Sequence, residues 1–335
     1  MNRAIDIPIL LFVYLLALGF TFCARNMLLK RALLDYPNER SSHKTPVPRG
    51  GGWALLAVLV PGMIISGLAE GTLANYTGLI AGVSLLAFVC WLDDRKRGGV
   101  SAGLRLGAHI VAACFGSLAF SSDQTLFGSW LPFWLDRTIM IVGWAWFMNL
   151  YNFMDGIDGI TSVETVSIAV GVCLVMLASN IANPFAVTLS TLLIGACLGF
   201  LAFNWHPAKI FLGDVGSVPL GYLTGFMLLV LATNGHLAPA LVLPAYYLAD
   251  SGLTLIRRGL KGEKIWKAHR SHYYQCAANR TGRHDRVVMW IALANLALIV
   301  AAIGAVTQPL TGLAAGIAVV AFLLKKMHKE GHSTG

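Results

Sequence analysis

The sequence predicts an all-α, polytopic integral membrane protein, and three observations carry that expectation. Hydrophobic residues make up 56% of the chain and charged residues only 12%, with a mean hydropathy of +0.68, well outside the range of soluble domains. Apolar runs of bilayer-crossing length recur from end to end. The basic residues fall almost wholly in alternate connectors between those runs.

The apolar runs lie at about 7–29, 52–69, 74–92, 102–120, 134–151, 161–179, 185–203, 215–232, 237–256, 287–306 and 309–325. Each approaches or exceeds the ~17 residues a spanning helix needs, so about eleven transmembrane helices are expected. The first run is longer than the apolar part of a secretion signal and lacks a small-x-small cleavage pattern, so it is expected to stay as an anchor. Every lysine and arginine except Arg3, Arg25 and Arg137 falls after an odd-numbered run. By the positive-inside rule that side is cytoplasmic, the N-terminus is periplasmic and the C-terminus cytoplasmic. A net charge of +9 would suggest nucleic acid in a soluble chain; here it follows membrane topology, and no nucleic-acid partner is expected. Six scattered cysteines (23, 90, 114, 173, 197, 276) exclude a disulfide framework or zinc ribbon as the organising principle.

The whole chain, 1–335, reads as one transmembrane domain with cytoplasmic loops at about 30–51, 92–102, 150–161, 204–216 and 256–287. The same sidedness sorts the acids. Asp93, Asp94, Asp155, Asp158 and Asp214 all fall at cytoplasmic ends, whereas Asp6, Glu70, Asp123 and Asp136 lie patternless on the other side. Carboxylates near lipid are costly and point to function by default.

The first cytoplasmic loop contains Asp35-Tyr-Pro-Asn-Glu-Arg-Ser-Ser-His-Lys-Thr-Pro-Val-Pro-Arg-Gly-Gly-Gly52. Prolines stiffen it, three glycines would let backbone amides approach a ligand, and Lys44 and Arg49 suit a phosphate. A basic loop with a glycine turn is the plainer alternative. Asp93 and Asp94 repel each other at the end of the third run, a repulsion relieved by a divalent cation or by Arg95, Lys96 and Arg97. Oxygen donors of this kind suit magnesium or manganese rather than zinc.

In Asn152-Phe-Met-Asp-Gly-Ile-Asp-Gly159, a three-residue step would place Asn152, Asp155 and Asp158 on nearly one helix face. Phe211-Leu-Gly-Asp-Val-Gly-Ser217 leaves Asp214 unshielded between glycines at a helix start, with Asn204 and Lys209 just before it. His269 and His272 would share a helical face beside Arg270, and anion binding fits them better than zinc because no third soft ligand is close in sequence. Asp250, inside the ninth run, is expected to be structural.

These patches, in this order, resemble the polyprenyl-phosphate N-acetylhexosamine-1-phosphate transferases of glycosyltransferase family 4, over about residues 35–285. The loop ending His269-Arg-Ser-His-Tyr-Tyr-Gln275 is most similar to the branch that initiates O-antigen with an N-acetylated 6-deoxyhexosamine; the muramyl-pentapeptide transferases have a histidine-richer loop. The resemblance implies a bacterial inner-membrane enzyme with a cytoplasm-facing site, a UDP-amino sugar donor, a polyprenyl (undecaprenyl) phosphate acceptor, and Mg2+ or Mn2+ as cofactor. It allows a homodimer. By position it implies Asp214, with Asp94, as metal ligands, and Asp93 and Asp94 at the phosphates, one of them the base. Asp155 and Asp158 complete the catalytic acids, and Asp158, Asn204 and Phe211 would meet the uridine. Lys44, Arg49, Asn152, Lys209, His269, Arg270 and His272 would line the diphosphate and sugar. The rival reading is a transporter of an anionic solute, whose usual signs are mid-membrane charges and paired repeats; neither is visible.

Overall fold

The computed structural model describes residues 5–36, 46–95, 99–264 and 269–329. Thirteen helices run through them: α1 Ile7–Lys30, α2 Gly52–Ala69, α3 Leu73–Arg95, α4 Ala102–Ser117, α5 Phe133–Phe153, α6 Ile160–Ala178, α7 Pro184–Asn204, α8 Asp214–Thr233, α9 Leu237–Val242, α10 Ala245–Leu260, α11 Tyr273–Thr281, α12 His284–Thr307 and α13 Pro309–Lys329. Among the described residues, the extended backbone consists of a minimal hairpin, β1 Leu34–Asp35 antiparallel to β2 Val47–Pro48, and an isolated bridge between Arg49 and Phe211.

Local chemistry sets several of the boundaries. The Asp6 carboxylate accepts from the Ile9 amide at 3.1 Å to cap α1, Ser101 caps α4 and Asn183 caps α7 with Pro184 in the first turn. Gly282 closes α11 in the left-handed region.

Among the described residues, eight helices are long and apolar enough to cross a membrane: α1, α2, α3, α6, α7, α8, α12 and α13. Three of the eleven expected runs fall outside that set for visible reasons. α4 has only 16 residues. α5 opens on Asp136 and Arg137 and carries Asn149 and Asn152, which lower its hydropathy. The run 237–256 is broken at Leu243–Pro244 into α9 and α10, because proline cannot supply the amide that a continuous helix needs there. α10 then buries Asp250, Ser251, Thr254 and Arg258 and exposes Leu253, Ile256 and Leu260. Its polar face turns inward, toward the loops.

α8 is the axis of the bundle: 94% of its apolar window is buried, against 17% for α1. Small residues let its neighbours close on it. A Cβ at Gly221 would come within 2.7 Å of the Tyr151 side chain, and one at Gly225 would strike Trp144. Such small-residue contacts replace the hydrophobic drive that lipid does not supply. Trp144 Nε1 donates to the Tyr222 carbonyl at 2.9 Å and stacks on its ring, while the Tyr222 hydroxyl donates to the Ala112 carbonyl at 3.0 Å. α5, α8 and α4 are thereby fixed in register.

A close backbone approach joins Gly52 at the start of α2 to Gly216 in the first turn of α8, where a Cβ on Gly52 would collide with the Gly216 backbone. Gly52→Ala should therefore cost about 1–3 kcal/mol and lower the unfolding temperature in detergent. Gly143→Ala, in α5 with open space around it, should hold or raise that temperature.

Candidate active site

The seam between the α1–α2 loop and the α7–α8 loop builds the site. The amides of Gly50 and Gly51 donate to the Phe211 carbonyl at 3.2 and 2.8 Å, and that of Gly52 to the Leu212 carbonyl at 2.9 Å. The Phe211 amide donates in return to the Pro48 carbonyl at 2.8 Å. The glycines thus serve backbone-to-backbone packing. Their amides are used by Phe211 and Leu212, which corrects the expectation that they would cradle a phosphate.

This seam delivers Arg49 to Asp214. Arg49 Nη2 lies 2.8 Å from Asp214 Oδ1 and 3.7 Å from Asp94 Oδ1, so one guanidinium stands between two carboxylates from different helices. Asp214 is the first residue of α8, where the helix dipole favours negative charge. The two side chains remain 21% and 32% exposed, open to a ligand. The adjacent Asp93 is committed elsewhere: its Oδ1 accepts from the Val100 amide and its Oδ2 lies 3.6 Å from Arg105 Nη1. The acid pair is split between a partner-bound member and one that faces the site.

Asn152, Asp155 and Asp158 do not share a helical face. α5 ends at Phe153 and the two acids lie in the turn before α6, because the glycines of Asp-Gly-Ile-Asp-Gly interrupt the helix and Gly159 takes a positive φ of 78°. Asn152 accepts from the Ser217 hydroxyl at 2.6 Å, tying the end of α5 to the first turn of α8. Asp155 accepts from the Thr161 hydroxyl at 2.6 Å. Burial raises its carboxyl to about 7, with the Thr161 hydrogen bond opposing and the nearby Asp214 charge reinforcing. Asp158 goes the other way. Burial alone would raise it, but hydrogen bonds from His284, His206 and the Ala208 amide outweigh that and lower it.

Asn204 is a latch. Its Oδ1 accepts from the Gly159 amide and its Nδ2 donates to the Ile210 carbonyl, both at 2.9 Å. Both ends of the side chain therefore join loops 150–161 and 204–216. Phe211 is half-buried at the seam, and Lys209 is exposed, its amide donating to the Phe203 carbonyl at 2.8 Å. Lys44 lies outside the described residues.

His269 and His272 precede α11 instead of sharing a helix face, yet their rings stack with centroids 4.8 Å apart. Burial, then the neighbouring His272 and Arg258, lowers His269 to about 4. Buried Asp250 organises this loop, accepting from the Tyr246 hydroxyl and the Tyr273 and Tyr274 amides at 3.0 to 3.1 Å and meeting His272 Nδ1 at 3.2 Å. The Tyr274 hydroxyl donates to the Phe153 carbonyl at 2.9 Å, which brings the 256–287 loop, with half-buried Arg270, against the acidic turn.

Sequence reasoning missed Ser217, Thr161, Arg105, His206 and His284. Ser217, one turn after Asp214, carried a readable signal; His284, at the head of a separate apolar helix, carried none.

The model of glycosyl transferase family 4 matches residues 76–232. A probable undecaprenyl-phosphate N-acetylglucosaminyl 1-phosphate transferase of Bacillus subtilis is 30% identical, covering 82% of this chain and 77% of its own. An undecaprenyl-phosphate α-N-acetylglucosaminyl 1-phosphate transferase of Escherichia coli O157:H7 is 31% identical over 87% of this chain and 82% of its own. A decaprenyl-phosphate N-acetylglucosaminephosphotransferase of Mycobacterium tuberculosis is 28% identical over 77% and 72%.

The raised Asp155 has a consequence for stability. Between the ordinary carboxylate value of 3.8 and about 7, the folded chain keeps a proton that the unfolded chain has released, so raising the pH through that window destabilises the fold. Asp155→Asn removes this dependence. Its unfolding temperature in detergent should gain on wild type as the pH rises from 4 to 8, and a difference constant with pH would contradict the assignment.

Proposed function

The chain belongs to glycosyl transferase family 4, and from that premise we propose that it transfers N-acetylhexosamine 1-phosphate from a UDP-amino sugar to polyprenyl phosphate. The products are polyprenyl-diphospho-sugar and UMP. The observation that carries this reading is the Arg49 guanidinium shared between Asp94 and Asp214 at the ends of two apolar helices. Positive charge is drawn to that point, and there a lipid-borne phosphate and a water-borne nucleotide can meet.

Phosphoryl transfer asks for positioning and charge neutralisation more than covalent work. Asp94 and Asp214 offer only oxygen donors, a set that fits Mg2+, with Mn2+ as the alternative. Bound there, such a cation would neutralise charge on the diphosphate and ease the approach of a second anion. Arg49, released from the carboxylates, would turn its planar donors to a phosphate, with Lys44 and Lys209 adding positive charge.

Asp155 titrates near neutrality, which suits a group that takes the proton from the lipid phosphate. It replaces the Asp93–Asp94 pair as our candidate base, because Asp93 is engaged by Val100 and Arg105 and Asp94 is placed to hold the cation beside Arg49. The acceptor phosphate attacks directly. Phe211 and, through Oδ1, Asp158 face the uridine in this reading, with Asn204 holding their loops together, while His269, Arg270 and His272 meet the sugar diphosphate beside Asn152.

The finer assignments belong to the same proposal. The apolar runs support eleven spans, the distribution of lysine and arginine supports a periplasmic N-terminus, a cytoplasmic C-terminus and a cytoplasm-facing site, and the family resemblance supports a bacterial inner membrane. A role in starting an O-antigen or another surface polysaccharide follows from the His269–Gln275 loop.

The test is UMP release by purified protein in detergent with polyprenyl phosphate and a panel of UDP-amino sugars, with and without Mg2+. Lipid- and Mg2+-dependent UMP should appear and fall by about 100-fold or more in Asp214→Asn. No UMP from any donor, with the protein folded, would overturn the proposal and return transport to the front.

A further inference from the structure

Away from the Arg49–Asp94–Asp214 centre, one cluster gathers two imidazoles and a carboxylate from three separate segments. Asp158 lies in the α5–α6 turn, His206 just beyond α7, and His284 opens α12. Their candidate ligand atoms all lie within 4.8 Å of one another. His206 Nδ1 is 2.7 Å and His284 Nδ1 3.3 Å from the same Asp158 Oδ2, and the two rings are 4.7 Å apart.

Both imidazole Nδ1 atoms converge on the one Asp158 oxygen, and the Asp158 amide also points its N–H at His284 Nδ1 over 3.4 Å. Without a metal, an Nδ1 proton serves each imidazole contact. A dication in place of those protons would engage all three ligand atoms at once.

We propose that Asp158, His206 and His284 form a binding site for a transition-metal dication, zinc foremost. Two imidazole nitrogens and one carboxylate oxygen suit zinc and disfavour magnesium, which separates this site in chemistry from Asp94 and Asp214. With bonds of about 2.0–2.2 Å, a tetrahedral ion holds its ligand atoms about 3.3–3.5 Å apart. The His284 distance already meets that, and the His206 ring needs only a small outward shift. The Ala208 amide, donating to Asp158 Oδ2 at 3.1 Å, orients the carboxylate from outside the ligand set. The His206 side chain is 26% exposed whereas those of Asp158 and His284 are 8% and 6% exposed. Three protein ligands with a fourth position toward solvent describe an exchangeable ion. Bound there, zinc clamps the acidic turn, the α7–α8 loop and the head of α12 together, across segments that carry Asp155 and lead to Asp214.

The test needs neither substrate nor turnover, so its outcome is independent of the transferase reading. Full-length protein in detergent, stripped of metal, is titrated with Zn2+ against a chromophoric chelator, and with Co2+ as a visible reporter of four-coordinate geometry. One zinc per chain is expected, with a rise in unfolding temperature. His206→Ala and His284→Gln should each weaken binding by more than about tenfold, and His269→Ala should retain it. If His284→Gln does not fold, His206→Ala, on the part-exposed ring, decides alone. Absence of stoichiometric zinc binding, or binding undiminished in His206→Ala, would overturn the site.

Discussion

The structure depends on two backbones touching without side chains between them. Gly50, Gly51 and Gly52 hand their amides to the carbonyls of Phe211 and Leu212, and Gly52 rests on Gly216. A Cβ on Gly52 would push α2 from α8, and Arg49 would leave Asp214 with it. The electrostatics of the site are thus set by a packing constraint. Charge attraction between exposed groups is worth little by itself; here the chain is held so that an arginine and two carboxylates have to meet.

The same logic governs the other acids at the membrane boundary. A carboxylate near lipid persists where it has partners, and each buried one has a distinct set. Asp136 accepts from the Leu126 and Phe127 amides and fixes the loop before α5. Asp250 gathers the amides of Tyr273 and Tyr274. Glu164, wholly buried on α6, meets the Asn295 amide of α12 at 2.7 Å. Asp136 and Asp250 are structural acids with donors on both carboxylate oxygens, and Glu164 is held through Oε2. Asp94 and Asp214 differ in leaving oxygen faces open to solvent, and Asp155 differs in being poised near neutral pH.

Much of this was legible in the sequence, for physical reasons. Long apolar runs report spanning helices whatever the tertiary fold, and the three acidic patches announced themselves by being expensive. Run 237–256 reads as one unbroken helix because hydropathy averages over Pro244, where the structure divides it into α9 and α10, and α10 then hides its polar face inward. The step Asn152, Asp155, Asp158 misled because a helical periodicity was read across glycines that end the helix. The triple glycine was seen as a site element, but whether its amides meet a phosphate or another backbone depends on a partner about 160 residues away in the chain. His284 was invisible for the same reason: only the packing of α12 brings it to Asp158. Long-range contacts, not local propensity, wrote the unread part.

The central claim is that Arg49 occupies a cation position formed by Asp94 and Asp214. Mn2+ binding to substrate-free protein in detergent, followed by electron paramagnetic resonance, tests it most directly. Arg49→Gln should tighten Mn2+ binding by removing the competing charge, and Asp214→Asn should abolish it. Mn2+ affinity unchanged in both variants would show that the ion, if it binds, binds elsewhere, and the account of the site would fail.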